Sequence, residues 1–268
     1  MSDFRLKVFQ SVAKNLSFTK ASQELFVSQP AITKHIQELE ATYQTRLFDR
    51  QGSKISLTES GRLLLEHCER ILEDYKRLEY EMHLLHNEYI GELKLGASTT
   101  IAQYVLPPLL GSFIGKFPQV NLSLLNGNSR EIEAALQEHR IDLGLVEGVF
   151  RLPNLKYTTF LEDELVAVVH SKSRLQLPEE ITPQDLPAIP LVLRERGSGT
   201  LDVIERSLQK HGVKLSSLHV LMYLGSTESI KLFLENSDCM GIVSIRSICK
   251  ELAAGTFRVV EIKDMPML

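Results

Sequence analysis

The fold of the first sixty residues is decided by the segment 18–61, FTKASQELFVSQPAITKHIQELEATYQTRLFDRQGSKISLTESG. Its first helix follows Ser17, a good N-cap, and its apolar residues recur at helical spacing. After a short break, Ser28 precedes a second helix in which Pro30 stands near the start, where a missing N–H costs little. Two short helices joined by a tight turn predict a helix-turn-helix, whose second helix enters the major groove of DNA.

The stretch that follows, DRQGSKISLT over residues 49–58, places a Gly-Ser turn between two short extended arms. This pattern predicts a β-hairpin wing that carries Arg50 and Lys54. Together with an amphipathic helix predicted over residues 3–14, it gives a winged helix-turn-helix DNA-binding domain over residues 1–60. The alternative is a plain three-helix bundle with a solvated charged face.

The distribution of charge permits DNA binding at this end of the chain. The whole chain has a net charge of −4, but residues 1–60 carry eight Lys/Arg against six Asp/Glu, which gives +2. The remaining segments are negative. The charge of residues 1–60 therefore allows a nucleic-acid partner without requiring one.

A long helix is predicted from Thr58 to residue 89, as a linker over about 61–90. Its apolar residues recur at alternating intervals of four and three, which is the heptad spacing of a coiled coil. A narrow apolar stripe needs a partner, so we expect self-pairing, the alternative being packing on the chain's own third domain. The stripe predicted for dimerisation consists of Leu64, Cys68, Ile71, Tyr75, Leu78, Met82 and Leu85.

Short apolar runs alternate with helical patterns from Glu92 onward, which is typical of parallel α/β structure. The runs are ELKLGA, VNLSLL, DLGLVEG, LVAVVH, PLVLRE, LHVLMYL and MGIVSI. We predict an effector-binding domain over 91–268, made of two doubly wound α/β subdomains with a cleft between them. The first covers about 91–162 plus the C-terminal end of the chain, and the second covers about 163–263.

The loops at the predicted carboxyl ends of the strands are rich in Ser, Thr and Gly where helices begin. Any one of these positions taken alone is an ordinary N-cap, but several converging on one cleft favour a small anionic ligand, such as a carboxylate, sulfate or phosphate ester. The candidate effector-binding residues are Ser98, Thr99, Thr100, Gly127, Asn128, Ser129, Glu147, Arg194, Ser198, Thr200 and Thr227.

The segment 18–61 is similar to the DNA-binding segment of LysR-type transcriptional regulators. The order of a linker helix and two periplasmic-binding-protein-like subdomains is also similar, so the resemblance covers essentially the whole chain. LVLRERGSGT, ending at Thr200, resembles members that act on carbon or sulfur assimilation genes. The matching motifs are Ala21-Ser22, Ser28-Gln29-Pro30-Ala31, Leu39-Glu40, Leu47-Phe48-Asp49-Arg50 and Leu57-Thr58-Glu59-Ser60-Gly61.

The resemblance implies a cytoplasmic bacterial regulator, a homodimer or homotetramer that binds partly palindromic double-stranded DNA and is switched by a small effector. No metal site and no membrane span are expected, because the three cysteines form no Cys/His cluster and no run of about 18 apolar residues occurs. The resemblance implies no further cofactor, with RNA polymerase as a further expected partner. It also implies a strand and a helix beyond Leu268. Residues expected to face the groove are Gln29, Pro30, Thr33 and Lys34, the last replacing the Arg of many members. Arg50 is expected to reach the minor groove or a phosphate. Phosphate contacts are expected from Thr19, Ser28 and Lys54.

Three rival functions are weighed against this interpretation. An enzyme is disfavoured because the chain has no GxSxG, GxxxxGK[ST] or HExxH motif. A small-molecule-binding α/β protein without a DNA role is disfavoured by the helix-turn-helix and by the absence of a signal peptide. A redox-sensing regulator of the same family, using Cys239 and Cys249, remains as an alternative, although Cys239 is expected to be buried.

Overall fold

The computed structural model describes residues 4–51, 54–85 and 89–268. The chain divides into two compact units, Met1–Ile90 and Gly91–Leu268. Within the described residues, no helix is both long and apolar enough to span a membrane. The winged helix-turn-helix and the α/β architecture predicted from the sequence are both confirmed, and each unit is described separately below.

The first unit contains four helices and a two-stranded wing among its described residues. These are α1 Phe4–Asn15, α2 Phe18–Glu24, α3 Gln29–Tyr43, β1 Phe48–Gln51, β2 Lys54–Leu57 and α4 Glu59–Leu84. The hydroxyls of Ser17, Ser28 and Thr58 each accept a backbone N–H bond at the start of α2, α3 and α4, so the predicted caps are confirmed.

An apolar core unites the three short helices, the wing and the start of α4. The ring of Phe48 on β1 lies 5.5 Å from that of Phe9 and 5.9 Å from that of Phe18, measured between centroids. Val12 and Ile32 are fully buried beside them. The aromatic contacts fix the wing to the helices, because burying such rings contributes much of the stability of a small core.

The wing has the predicted antiparallel pairing, with Phe48 opposite Leu57 and Gln51 opposite Lys54. The Gly-Ser turn at positions 52 and 53 lies outside the described residues, as do the side chains of Arg50 and Lys54.

The long helix α4 is shorter than the helix predicted over residues 58–89. It ends at Leu84, with Leu85 as its C-cap. Its 26 residues span about 39 Å at 1.5 Å per residue.

The second unit begins with a parallel three-stranded sheet in the order β4-β3-β5. A π-helical turn, Ile101–Val105, connects β3 to α5, and the N-terminal cap of α6 directly follows β4. The elements are β3 Gly91–Ser98, α5 Leu106–Lys116, β4 Val120–Gly127, α6 Ser129–Gln137 and β5 Leu143–Leu145. We call this part, together with the residues after β5 up to Gly148, the first subdomain (residues 91–148).

The rest of the unit, from residue 165, is the second subdomain, built on a six-stranded sheet in the order β7-β11-β6-β10-β8-β9. Short 3₁₀ turns lie at Pro183–Ala188, Leu215–Ser217 and Ile245–Ser247. The elements are β6 Leu165–His170, β7 Glu180–Ile181, β8 Leu191–Arg194, α7 Gly199–Lys210, β9 Val220–Leu224, α8 Thr227–Glu235, β10 Met240–Ser244, α9 Cys249–Ala253 and β11 Phe257–Ile262.

The predicted parallel α/β structure accounts for only part of the second sheet, which is mixed. Strand β6 pairs antiparallel with both β10 and β11, whereas β8 is parallel to β9 and β10. The parallel strands β8, β9 and β10 follow one another through the helices α7 and α8, which supply the crossover connections that parallel strands require. Both faces of the sheet are nevertheless covered, with Leu193 and Ile204 buried on one face and Val168 and Ile230 on the other.

Candidate DNA interface and effector cleft

The start of α3 presents a polar surface to solvent. Gln29, Pro30 and Lys34 are exposed, whereas the Thr33 hydroxyl is half-buried and donates back to the Gln29 carbonyl at 3.1 Å. Arg50 and Lys54, predicted as DNA contacts, have side chains outside the described part of the chain. The first turn of α3 is therefore free to meet base edges, as the recognition helix of a helix-turn-helix does.

Thr19 on α2 lies beside the predicted base-reading residue. Its hydroxyl is 3.5 Å from the side-chain oxygen of Gln29, at the outer limit of a hydrogen bond. When the Thr19 hydroxyl donates to the Gln29 side-chain oxygen, the amide N–H groups of Gln29 point away from Thr19. The hydroxyl of Ser28 is engaged as the N-cap of α3, donated to by the Ala31 N–H at 3.4 Å. Both residues thus position the start of α3.

The apolar stripe of α4 divides into two parts. Its N-terminal part packs within the first unit, where Cys68 is fully buried and donates its thiol to the Leu6 carbonyl at 3.3 Å. Burial raises the pKa of this thiol to about 11. The expectation that Cys68 belongs to a surface stripe is therefore corrected, because its contacts are with α1. Further along the helix, Ile71, Leu78 and Met82 are 40%, 53% and 52% exposed.

In the second unit, the carboxylate of Glu147 joins the two subdomains. It accepts hydrogen bonds from the Ser98 hydroxyl at the end of β3 (2.8 Å) and from the Thr200 hydroxyl in the first turn of α7 (2.9 Å). Ser98 and Thr200 are only 4% and 3% exposed. Glu147 therefore occupies the kind of position, at a helix N-terminus and between hydroxyls, that favours an anion.

The backbones of the two subdomains also approach closely at this point. A Cβ at Gly199 would overlap the carbonyl group of Glu147, and one at Gly148 would lie 3.0 Å from the Gly199 Cα. The Ser129 hydroxyl donates to the same Glu147 carbonyl at 3.0 Å. A larger residue at position 199 would therefore push the subdomains apart, and only Gly permits this contact.

A second junction lies between the π-helical turn of the first subdomain and α8 of the second. The Tyr104 hydroxyl donates to the carboxylate of Glu228, and the hydroxyls of Thr100 and Thr227 are 3.5 Å apart. Lys231, one turn further along α8, is bound to Glu228 at 2.8 Å and to Glu251 at 2.5 Å. A buried ammonium group therefore holds two carboxylates, one of which contacts the other subdomain.

The ionisation of this junction follows from its contacts. Burial raises the pKa of Tyr104, and its hydrogen bond to Glu228 raises it further, so the phenol stays protonated. For Glu228, burial alone would raise the pKa, but hydrogen bonds from Lys231 and Tyr104 lower it overall. For Lys231, burial alone would lower the pKa, but its bonds to the two carboxylates raise it overall. The ion pair is therefore favoured in the folded state.

A polar cavity of about 370 Å³ lies beside these junctions. It is bordered by the starts of α6 and α8, whose N-caps are Asn128 and Ser226, and by Thr99 just before the π-helical turn. Arg194 is buried nearby, and its guanidinium donates to both carboxylate oxygens of Glu195, so its positive charge offsets the negative charge of Glu195. The residues around the cavity are Thr99, Gln103, Asn126, Gly127, Asn128, Glu131, Glu195, Gly225 and Ser226.

A larger cavity, of about 800 Å³, lies near residues 151–163 and the last residues of the chain. Its polar side chains bind largely to one another: the Tyr157 hydroxyl donates to Glu133 at 2.5 Å, Arg151 lies over the Tyr157 ring, and Arg246 is 3.5 Å from Asp163. The start of α7 borders this larger cavity at Thr200, and the predicted effector residues Thr100 and Glu147 also line it. The smaller cavity is the better candidate for an anionic effector, because the N-termini of two helices, α6 and α8, border it.

The predicted effector residues fall into three groups in the structure. Thr99, Gly127 and Asn128 line the 370 Å³ cavity. Ser98, Thr100, Ser129, Glu147, Ser198, Thr200 and Thr227 make contacts within or between the subdomains. Arg194 lies behind the cavity, next to Glu195. Sequence reasoning missed Gln103, Asn126, Glu131 and Glu195, and only the helix-start motifs around Asn128 and Ser226 could have indicated them.

The cysteines do not favour redox sensing. Cys239 is fully buried, and burial raises the pKa of its thiol, which disfavours the reactive thiolate. Cys249 is exposed and donates its thiol to the Ile245 carbonyl. Among residues 4–51, 54–85 and 89–268, no three His, Cys, Asp or Glu side chains are grouped to hold a metal ion.

Two family models match the chain. Residues 4–62 match the model described as bacterial regulatory helix-turn-helix protein, lysR family. Residues 86–267 match the model described as LysR substrate binding domain. The two matches together cover the DNA-binding and effector-binding regions predicted from the sequence.

Known proteins of this kind are similar over most of the chain. The HTH-type transcriptional regulator CysL of Bacillus subtilis is 30% identical over 262 residues, which cover 98% of this chain and 87% of CysL. The crystal structure of full-length CbnR complexed with its target DNA is 24% identical, with a TM-score of 0.61, and covers 99% of this chain and 91% of CbnR. The regulatory domain of Synechocystis PCC6803 CcmR in complex with 2-PG is 29% identical, with a TM-score of 0.58, over 66% of this chain and 83% of that domain.

Proposed function

The chain belongs to the LysR family of transcriptional regulators, and on this premise we propose that α3 reads operator DNA while a small anion bound in the second unit controls the DNA-bound state. The observation that carries the DNA part is the exposed start of α3, with Gln29, Pro30 and Lys34 open to solvent. Gln can pair with adenine N6 and N7, and Lys can reach guanine. Thr19, Ser28, Arg50 and Lys54 are proposed to contact phosphates or the minor groove.

For the effector, we propose the 370 Å³ cavity beside the subdomain junctions. Two helix N-termini, hydroxyls and side-chain amides suit a small carboxylate, sulfate or phosphate ester. The relative CcmR, whose regulatory domain is solved with 2-PG, supports a small ligand in this domain. To act as a switch, the effector must bind two conformations with different affinity, since a ligand that binds both equally shifts nothing.

We propose that the regulator works as a homodimer or a larger even-numbered homo-oligomer, in the cytoplasm, where it meets DNA and RNA polymerase. The support for pairing is the exposed part of the α4 stripe, Ile71, Leu78 and Met82, which keeps heptad spacing. A two-fold dimer also presents two copies of α3 to a partly palindromic site. The membership of a family of transcriptional regulators supports regulation rather than catalysis.

Fluorescence anisotropy with duplex DNA from upstream of the protein's own gene tests the proposal. Gln29→Ala is expected to relax base preference, whereas Lys54→Ala weakens binding to all sequences alike and lowers the salt slope by about one. Sulfate, phosphate and 2-PG, added singly, are expected to change affinity or footprint. Equal effects of the two substitutions would contradict the assigned roles, and the absence of binding to any duplex would refute the DNA function.

A further inference from the structure

The turn between α2 and α3 contains an aromatic side chain in an unfavourable backbone conformation. Phe26 has a φ of 54°, in the left-handed region, and is 94% exposed. The Val27 N–H donates to the Ser22 carbonyl at 3.1 Å and the Phe26 N–H to the Gln23 carbonyl at 3.4 Å. These two bonds define a Schellman motif at the C-terminus of α2, with Phe26 at the position that Gly or Asn usually occupies.

Neither the turn nor the core explains a Phe at this position. A left-handed φ is unfavourable for a bulky residue, and Gly or Asn would form the same hydrogen bonds with less strain. An aromatic ring that is 94% exposed also gains almost nothing from burial within its own unit. Strained residues that persist in this way cluster at functional sites, so the outlier points to a surface that the ring contacts.

The neighbouring residues indicate which surface this is. Phe26 stands two positions before Ser28, the N-cap of α3, and Gln29 and Pro30 beside it are exposed. In a helix-turn-helix the first residues of the second helix meet the base edges, so the turn before it lies near the adjoining sugars. An aromatic ring packs well against the thymine methyl group, which is an apolar feature of the major groove.

We propose that Phe26 is a DNA-contact residue, whose ring packs against deoxyribose and thymine-methyl surface next to the bases that Gln29 reads. This inference rests on the proposed DNA-binding function. The contact would cover the exposed ring only in the complex. Phe26 would then be retained for binding at the cost of the stability of the free protein.

The first unit offers a matched control for this loss of stability in favour of DNA binding. Leu16, in the turn after α1, is also an apolar residue with a left-handed φ, 45°, and is 46% exposed. It precedes α2 rather than α3. Replacing either residue by Asn, which tolerates this conformation, relieves strain, but only the change at Phe26 should affect DNA binding.

The experiment compares the full chain with Phe26→Asn, Phe26→Tyr and Leu16→Asn by thermal melting and by anisotropy with the upstream duplex. Phe26→Asn is expected to raise the melting temperature by about 4 °C and to weaken binding about tenfold. The slope of log affinity against log salt should stay unchanged, because an apolar contact releases no counterions. Phe26→Tyr, which keeps the ring, should bind within about threefold of wild type, and Leu16→Asn should be stabilised with unchanged affinity.

Three results would overturn the inference. One is a Phe26→Asn variant that binds DNA within twofold of wild type. Another is a salt slope reduced by about one, which would indicate a lost phosphate contact instead. The third is a Phe26→Asn variant that forms a smaller oligomer than wild type in the absence of DNA, as measured by light scattering. That result would show that a second protein chain, rather than DNA, covers the ring. A wild-type chain that binds no duplex would refute the proposed function itself, a result distinct from wild-type binding that Phe26→Asn leaves intact.

Discussion

The carboxylate of Glu147 lies 2.9 Å from the hydroxyl of Thr200, so a residue two positions beyond β5 is held by the first turn of α7 in the second subdomain. Ser98 donates to the other carboxylate oxygen from the end of β3. The protein thus supplies its own anion at a position that the sequence suggested for an effector. A ligand in the neighbouring cavity would adjoin this contact, and any change in the spacing of the subdomains would stretch it.

The first prediction concerns the acceptor itself. Glu147→Ala leaves two buried hydroxyls without their partner, so the free energy of unfolding of the second unit should fall by about 1–3 kcal/mol. Glu147→Gln keeps one acceptor oxygen and should lose less. Urea unfolding followed by circular dichroism measures the change, with Glu138→Ala as the control, because Glu138 forms an exposed ion pair with Arg140. A loss no larger than that of Glu138→Ala would show that the bridge is not stabilising.

A second prediction concerns the close backbone approach. Gly199→Ala places a methyl group against the Glu147 carbonyl, so it should destabilise the second unit by about 1–3 kcal/mol and reduce the response to effector. Gly91→Ala is the matched control, since a Cβ there has no neighbour within 4 Å among the described residues and Gly91 lies away from the effector cavity. Both variants are compared by thermal melting. Equal melting temperatures for the two variants would contradict the close contact.

The third prediction concerns the loss of folding stability at low pH. Burial raises the pKa of Glu228, but hydrogen bonds from Lys231 and Tyr104 lower it overall below its ordinary value of 4.5, so the folded state binds fewer protons there than the unfolded state. Stability from this group is therefore fully present above pH 4.5 and is lost as the pH falls through the folded pKa. Glu228→Gln should flatten the dependence of stability on pH below about 4.5. Denaturant titrations at several pH values measure the slope, and an unchanged slope in Glu228→Gln would argue against this ion pair.

A fourth prediction concerns the exposed part of the α4 stripe. Leu78→Gln should weaken self-association at least tenfold, because it places an amide in an apolar seam that a second chain would bury. Glu73→Gln, on the same helix and exposed, serves as the control and should leave association unchanged. Sedimentation equilibrium gives both dissociation constants. If Leu78→Gln associates as tightly as wild type, the stripe is not the seam.

Local signals in the sequence were sufficient for much of the fold. The caps Ser17, Ser28 and Thr58 were predictable because capping depends on residues only three positions apart. The direction of β6 was not, because it depends on pairing with β10, more than 70 positions later in the chain. Sequence pattern fixes which residues form strands, but it does not fix their partners.

The candidate site shows the same limit. Ser98 and Thr200 were identified as polar residues at helix starts, yet their shared partner Glu147 is 49 and 53 positions away from them. Cys68 fitted the heptad spacing, but its partner Leu6 is 62 positions away and places it in the core. Spacing alone does not separate a stripe that faces a second chain from one that packs within its own unit.

Lys231 has a consequence for how such proteins diverge. Its ammonium group neutralises Glu228 and Glu251 and also donates to the Ser247 carbonyl at 3.1 Å, so a neutral residue at 231 would leave two carboxylates facing each other. Substitutions at these positions should therefore occur together in evolution. Homologues with an apolar residue at position 231 are expected to have lost both acidic partners, and a collection of aligned sequences would show these three columns covarying as a set.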